Sequence, residues 1–219
     1  MEKTKKKIPL PPEETDSEEW LVTYSDIMTL LMTFFVLLFS MSTIDPVKIE
    51  QFGEAMGKEL GVKTSERTGR VSLAQIDRDV KEIVNEENLN EYVEVTHSYR
   101  GVTISIVADI LFTRGSAELN PRVYSILNKF IPKIQNSIYQ IAVEGHTDSD
   151  PIHSDKYPSN WELSAARASQ VVNYYISQGI DPERFRAIGF AHTRPKKPNT
   201  SPENKSQNRR VEITFLAIS

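Results

Sequence analysis

A long apolar segment near the N-terminus constrains the fold of this chain more than any other feature. Residues 20–43 read WLVTYSDIMTLLMTFFVLLFSMST, and Asp26 is the only charged residue among them. About 20 apolar residues in a helix span the hydrocarbon core of a bilayer, so this segment predicts a transmembrane helix. The apolar run is too long for a secretory signal peptide, and no small-residue cleavage site follows it. A buried helix of a soluble protein is the alternative.

The flanks of this helix predict its orientation. Residues 1–19 contain four lysines, several prolines and a run of acids without apolar periodicity, which predicts a disordered tail. The next basic residue after the helix is Lys48. Because lysine-rich flanks stay in the cytoplasm, we expect a single-pass protein of the cell membrane, with a cytoplasmic N-terminus and an outer C-terminal part.

The acid in the helix suggests ion conduction. A carboxylate is expensive at membrane depth, so we expect Asp26 to face protein or water. At 100° per residue, one side of the helix collects Thr23, Asp26, Thr29, Thr33 and Ser40. This stripe predicts a path for Na⁺ or H⁺, with Asp26 as the ion carrier and the threonines as support. An acid that stays hydrated or pairs with a partner's cation is the alternative, and conduction would require partner subunits.

The chain after the membrane segment divides into three parts. Asp45-Pro46 ends the first helix, and residues 44–61 carry Ile49, Phe52 and Met56 at helical spacing. This pattern predicts an amphipathic helix that lies on the membrane, docks on a partner or merely connects. A polar linker and a second helix (71–90) occupy residues 62–91. Residues 92–219 form the outer domain.

Alternating strand and helix patterns define this outer domain. VTISIV (102–107) has the period of a strand, and further strands are predicted near 92–95, 139–144, 185–190 and 210–217. One helix is predicted to begin at Asn120-Pro121 and to kink or end at Pro132. Another begins at the capping box of Ser159 and Glu162 and stops at Gly179. The predicted fold class is α/β, an α+β sandwich preceded by a single transmembrane helix.

The most polar stretch, GHTDSDPIHSDKYPSNWELSAARA, offers three interpretations. A metal could bind the histidines and acids, namely His146, Asp148, Asp150, His153 and Asp155, although their spacing matches no regular site. Asp148 and His146 could act as acid and base, although no nucleophile accompanies them. Asp148 could instead meet an ammonium while Arg167 holds a carboxylate. The absence of cysteine excludes disulfides, cysteine-ligated zinc and a thiol nucleophile, and a net charge of -4 argues against nucleic-acid binding.

Four ordered motifs resemble the OmpA-like peptidoglycan-binding domain: VEGHTD (143–148), NWELSAARA (160–168), GF-H--P (189–195) and NRRVEI (208–213). The resemblance implies that Asp148 binds the ammonium of the diaminopimelate side chain and that Arg167 binds its carboxylate. It also implies that pocket or supporting positions are filled by Thr147, Asn160, Leu163, Asn208 and Arg209. The loop before Asn160, around residues 150–157, is about four residues longer than in shorter family members, which leaves its effect on the pocket open.

The motif WLVTYSD (20–26), followed by an apolar helix and an amphipathic segment, resembles the MotB group of flagellar stator subunits. In that group an acid such as Asp26 carries the coupling ion, and a segment such as residues 46–60 plugs the path. This resemblance implies a non-enzymatic homodimer with a MotA-like membrane partner, which acts on the flagellar rotor through that partner. It implies no cofactor beyond the transported ion. LLFSMSTID and YPSNWELSAARAS resemble MotS-type members most, which favours Na⁺ over H⁺. A passive peptidoglycan tether and a wall hydrolase are the rival interpretations.

Overall fold

A computed structural model describes residues 19–41, 45–59 and 71–217, and the chain divides into two compact units after Thr43. Residues 1–18 of the predicted polar tail and residues 62–70 of the predicted linker lie outside the described residues. The first unit contains helix α1 (Glu19–Met41). By length and composition, its residues Trp20–Ser40 could cross a membrane, and no part of this stretch is buried within the chain.

The second unit is built on one mixed five-stranded sheet in the order β1-β2-β5-β3-β4. The strands are β1 (Val93–Ser98), β2 (Gly101–Val107), β3 (Ile141–His146), β4 (Phe185–Gly189) and β5 (Arg210–Leu216). Strands β1, β2, β5 and β3 pair antiparallel in that order, whereas β3 and β4 are parallel. The predicted α/β class is therefore confirmed, with each strand within a few residues of its predicted position.

Helices cover one face of this sheet because alternate strand residues on that face are apolar. They are α2 (Pro46–Glu59), α3 (Leu73–Glu86), α4 (Ala108–Leu111), α5 (Tyr124–Asn136), α6 (Asn160–Ser177) and α7 (Pro202–Asn208), with short 3-10 turns at Pro121–Val123 and Pro182–Arg184. The core joins strand residues such as Val143, Ile213 and Phe215 to Phe130 of α5 and Tyr175 of α6. Burial of these side chains, at about 25 cal/mol per Å² of apolar area, is the main source of stability.

The predicted end of the helix at Pro132 is wrong. Helix α5 continues past Pro132 to Asn136. Proline removes one backbone hydrogen bond from a helix, at a cost of about 3 kcal/mol. Phe130 and Ile134, on either side of Pro132, are fully buried. Packing of these side chains against the sheet offsets the lost bond, because each large core side chain contributes about 2–5 kcal/mol.

Helix α6 lies unusually close to the sheet, and this approach fixes the positions of its functional residues. A Cβ atom on Gly145 of β3 would lie 2.1 Å from the backbone oxygen of Ser164. The Ser164 hydroxyl also accepts a 3.0 Å hydrogen bond from the Ala191 amide. A side chain at position 145 would therefore push α6 outward, and Arg167, one turn beyond Ser164, would move with it.

Candidate functional site

The predicted ion site lies on the side of α1 that carries hydroxyl groups. The hydroxyls of Thr23, Thr29 and Thr33 donate to the carbonyl oxygens of Trp20, Asp26 and Thr29 at 2.8, 2.9 and 2.7 Å. A hydroxyl that donates its proton to the helix keeps its lone pairs available to a cation. Together with the Asp26 carboxylate, these groups present oxygen atoms, the ligands that hard cations prefer.

The candidate wall site, which contains the predicted peptidoglycan contacts Asp148 and Arg167, is built where three strands meet. Arg210, the first residue of β5, pairs with Val107 at the end of β2 and with His146 at the end of β3. Asp109 and Asp148 each follow these strand ends by two residues. Because β5 runs antiparallel to both neighbours, its start brings Arg209 between the two acids.

The Asp148 carboxylate is held from two sides. Its Oδ2 accepts a 2.7 Å charge-assisted hydrogen bond from Nη1 of Arg209, and its Oδ1 accepts a 3.1 Å bond from the Asp150 amide. The Asp148 side chain is 10% exposed. Because a carboxylate offers about four lone-pair sites, Asp148 can accept further donors from a ligand.

The planar guanidinium of Arg209 donates hydrogen bonds to both acids, Asp109 and Asp148. Nε and Nη2 donate to Oδ1 and Oδ2 of Asp109 at 3.1 and 2.7 Å, while Nη1 reaches Asp148. The hydrogen bond from Arg209 holds the pKa of Asp109 below its usual range, and the same acids raise the pKa of Arg209. Asp109 and Arg209 are therefore both charged at neutral pH.

Arg167 of α6 is a buried cation. Its Nε donates to the Ser116 carbonyl at 2.9 Å, and the guanidinium lies 5.1 Å from the centre of the Phe112 ring. Arg167 is 5% exposed, and burial lowers its pKa, although Asp109 and Asp148 oppose this shift. Its Nη atoms have no hydrogen bond to any side chain or backbone group in the described parts of the chain. A buried guanidinium with free donors is suited to bind an anion such as a carboxylate.

The other predicted site residues support the pocket loops. The Thr147 hydroxyl donates to the Asp148 carbonyl at 2.9 Å, and the Asn160 amide donates to the Asp150 carbonyl at 2.9 Å. Asn208 is fully buried and accepts from the amides of Lys196 and Lys197 at 2.8 and 2.9 Å, which fixes the loop before α7. Leu163 packs with Tyr157 and Ala117 in a small apolar cluster. These four therefore hold the loops on which Asp148 and Arg209 lie.

The long loop before α6 closes against the domain. Its Tyr157 is 7% exposed beside Leu163, and Asp150 pairs with Lys205 of α7 at 2.6 Å. The ring of His153 bonds to the Pro158 carbonyl at 3.1 Å. Two of the candidate metal ligands of this loop, Asp150 and His153, are thus engaged in these contacts.

The one described group with metal-ligand geometry lies elsewhere, on the sheet face opposite the helices. It comprises Glu144, His146 and Glu212. Glu144 is in an ion pair with Arg100, and Glu212 accepts from Nε of Arg210 at 2.6 Å. Because both carboxylates are neutralised by arginines, this group forms a buried ionic layer of the sheet rather than an open cation site.

His146 makes the stability of this ionic layer sensitive to acid. Burial, reinforced by Arg210, lowers the His146 pKa to about 4, well below 6.5 in an unfolded chain. The folded state therefore excludes a proton that the unfolded state binds between pH 6.5 and 4. The His146 contribution to stability is complete above pH 6.5 and is lost as the pH falls toward 4.

We expect the free energy of unfolding to fall by about 2 kcal/mol between pH 7 and 4.5 because of His146 alone. Neither ring nitrogen has a hydrogen-bond partner among the residues described here, and the ring stacks on Phe190. His146→Phe should therefore preserve stability at pH 7 within about 1 kcal/mol and remove that part of the pH dependence. Urea unfolding of both proteins at the two pH values measures this, and equal losses in both would contradict it.

Three residues of the site are missing from the sequence prediction: Asp109, Phe112 and Ser116. They lie about 30–60 residues before Asp148 and Arg167 in the chain. Asp109 had a detectable signal, since it follows an apolar strand as Asp148 does. The contacts of Phe112 and Ser116 with Arg167 depend on how the β2–α5 loop folds back, which no local pattern indicates.

Two family models match separate parts of the chain. Residues 111–209 match the OmpA family. Residues 3–60 match the family described as membrane MotB of the proton-channel complex MotA/MotB. The two matches occupy the outer domain and the N-terminal part respectively.

Full-length relatives and a solved structure are similar to this chain. An uncharacterised protein of Bacillus subtilis, YtxE, is 36% identical, with 91% of this chain and 88% of the relative covered. Motility protein B of the same organism is 28% identical, with coverage of 93% and 92%. The crystal structure of the periplasmic domain of Helicobacter pylori MotB superposes with a TM-score of 0.54 at 28% identity, covering 58% of this chain and 83% of that one.

Proposed function

This chain belongs to the MotB family of membrane proteins with an OmpA-type outer domain, and from that membership we propose that it is the ion-conducting, wall-anchored stator subunit of a bacterial flagellar motor. One observation supports this proposal above all: a single chain combines an acid in an apolar helix with an outer site of paired acids and arginines. A stator needs both, because force on the rotor requires an ion path and a fixed anchor.

Asp26 is the proposed ion carrier. Ion binding would neutralise its carboxylate, and ion release would restore the charge at the surface of α1. The hydroxyls of Thr23, Thr29 and Thr33 would supply further oxygen contacts. One elementary charge that crosses about 100 mV releases roughly 2.3 kcal/mol, which sets the work available per ion. Since α1 alone cannot enclose a path, we propose a homodimer surrounded by MotA-like subunits.

The outer site is the proposed anchor. A zwitterionic group fits its charges, because the free Nη donors of Arg167 can clamp a carboxylate while Asp148 accepts an ammonium. The diaminopimelate side chain of peptidoglycan carries such a pair of groups. We propose that this contact holds the chain still on the outer side of the membrane, while the N-terminus remains in the cytoplasm. This role is mechanical and involves no catalysis.

Helix α2 is the proposed plug. Its Ile49, Phe52 and Met56 side chains are largely exposed, so an apolar stripe is available to cover an ion path. The opposite edge of α2 packs on the outer domain through buried Val47, and Glu50 accepts a 2.9 Å bond from the Ala74 amide. Helix α2 can therefore contact the outer domain with one side and cover the ion path with the other.

Motility in defined salts tests the function and the ion together. In cells whose only stator contains this chain and a matching MotA-type partner, we expect swimming speed to rise with external Na⁺ at constant pH. A protonophore should slow these cells only slightly while Na⁺ is abundant. A swimming speed that does not depend on Na⁺ but falls sharply with the protonophore would identify H⁺ as the coupling ion instead. Cells that do not swim in either condition would contradict the stator role.

A further inference from the structure

We propose that Asp109 is a positioning residue of the wall site, which holds the Arg209 guanidinium aside so that Asp148 can accept the ammonium of a zwitterionic ligand. This role rests on the proposed recognition of peptidoglycan. Asp109 lies outside the four motifs of the outer domain, and it enters the site only because β2 and β3 end on either side of β5.

The geometry of Arg209 carries this inference. Two of its three bonded nitrogens, Nε and Nη2, donate to Asp109, and one, Nη1, donates to Asp148. A bidentate contact fixes the plane of a guanidinium, whereas a single bond leaves it free to rotate. Asp109 therefore determines where the arginine lies, and Asp148 receives only one of its donors.

The charge balance of the site also supports a positioning role for Asp109. Asp109 and Asp148 offset Arg167 and Arg209, so the four side chains sum to zero, as a ligand with one ammonium and one carboxylate also does. Without the Asp109 charge, the site would have one excess positive charge. Arg209 would then be free to turn its bidentate edge toward Asp148 and compete with the ligand ammonium.

The solvent exposure of Asp109 sets the expected size of its effect on wall binding. The Asp109 side chain is 52% exposed, so its charge is partly screened by solvent, and Asp148 keeps its own carboxylate in every variant. We therefore expect Asp109→Asn to weaken wall binding about tenfold rather than to abolish it. Asp109→Glu, which keeps the charge, should restore most of the affinity.

A double-mutant cycle tests the mechanism. The full-length chain in detergent is sedimented with purified sacculi that contain meso-diaminopimelate, as wild type, Asp109→Asn, Arg209→Gln and the double variant. If Asp109 acts through Arg209, adding Asp109→Asn to Arg209→Gln should cause no further loss of binding, because the cation that Asp109 holds aside is already gone. Asp155→Asn, which removes an exposed acid from the neighbouring loop, is the charge-matched control and should leave binding unchanged.

Three results would overturn the role of Asp109. Wild-type binding by Asp109→Asn would show that the acid has no influence. A further loss of about tenfold when Asp109→Asn is added to Arg209→Gln would show that Asp109 acts without Arg209. A loss with the Asp155→Asn control as large as with Asp109→Asn would assign the effect to net charge. Failure of the wild-type chain to sediment would instead contradict the proposed wall recognition together with this inference.

Discussion

Replacing Asp26 with asparagine is expected to abolish motility while leaving the chain folded, inserted and attached to the wall. Asparagine has nearly the same shape as aspartate but cannot ionise, so it can neither bind and release a proton nor balance the charge of Na⁺. Since the thermodynamic work of each ion enters through that change of charge, no torque should remain. Swimming in soft agar and single-cell tracking measure the loss.

Two comparisons separate ion transfer from other defects of this variant. Glu183→Gln removes an exposed acid from the outer domain, far along the chain from α1, and should leave motility unchanged.

Deletion of residues 46–59 should let ions leak and slow growth when the partner is co-produced, because the proposed plug is gone. Combining this deletion with Asp26→Asn should stop the leak. A leak that persists in the combined variant would show that ions pass without using Asp26.

The sequence predicts most elements of the fold because their apolar periodicities are unambiguous. Strand β2 alternates over its whole length, and α3 repeats Leu73, Ile76, Val80 and Val84, all of them buried. The capping box at Ser159 starts α6 as predicted, with the serine hydroxyl accepting from the Trp161 amide. These signals are local, and tertiary packing reinforces rather than overrides them.

The errors arise where tertiary packing decides. Pro132 stays inside α5 because its neighbours are buried, and α7 has only seven residues and little apolar periodicity. The buried ionic layer around Glu144 and His146 is equally invisible to a pattern of hydrophobicity, since β3 is buried along its whole length and yet contains these two polar residues. Arginines from two other segments make that burial possible.

For the site, the sequence motifs predicted Asp148 and Arg167, and the structure places both beside Arg209. The motifs could not predict which arginine bonds to which acid. Arg209 bonds to Asp109 and Asp148 together, whereas the Nη atoms of Arg167 bond to none of the residues that the structure describes. This division depends on strand register and on the closeness of α6 to Gly145, which are properties of the assembled sheet.

Arg167→Met is expected to reduce wall binding by about 100-fold or more without unfolding the domain. Loss of a buried bidentate partner for a carboxylate typically costs about 2–5 kcal/mol of binding. Stability should change little, because removing a buried charge relieves desolvation and methionine fills much of the same volume. The lost Nε bond to the Ser116 carbonyl, worth about 1 kcal/mol, opposes that gain. Sedimentation with sacculi and thermal unfolding of the full-length chain measure the two effects separately.

Lys205→Met is the matched control, because it also removes one positive charge at the edge of the site. Lys205 pairs with Asp150 in the loop and is 27% exposed, so its loss should change binding only a few-fold. A drop in Tm of more than about 10 °C for Arg167→Met would show that the arginine holds the fold rather than the wall. Unchanged sedimentation of a stable Arg167→Met chain would remove Arg167 from the anchor. The expected combination, a stable chain that no longer binds, is what distinguishes a buried cation kept for a ligand from one kept for the fold.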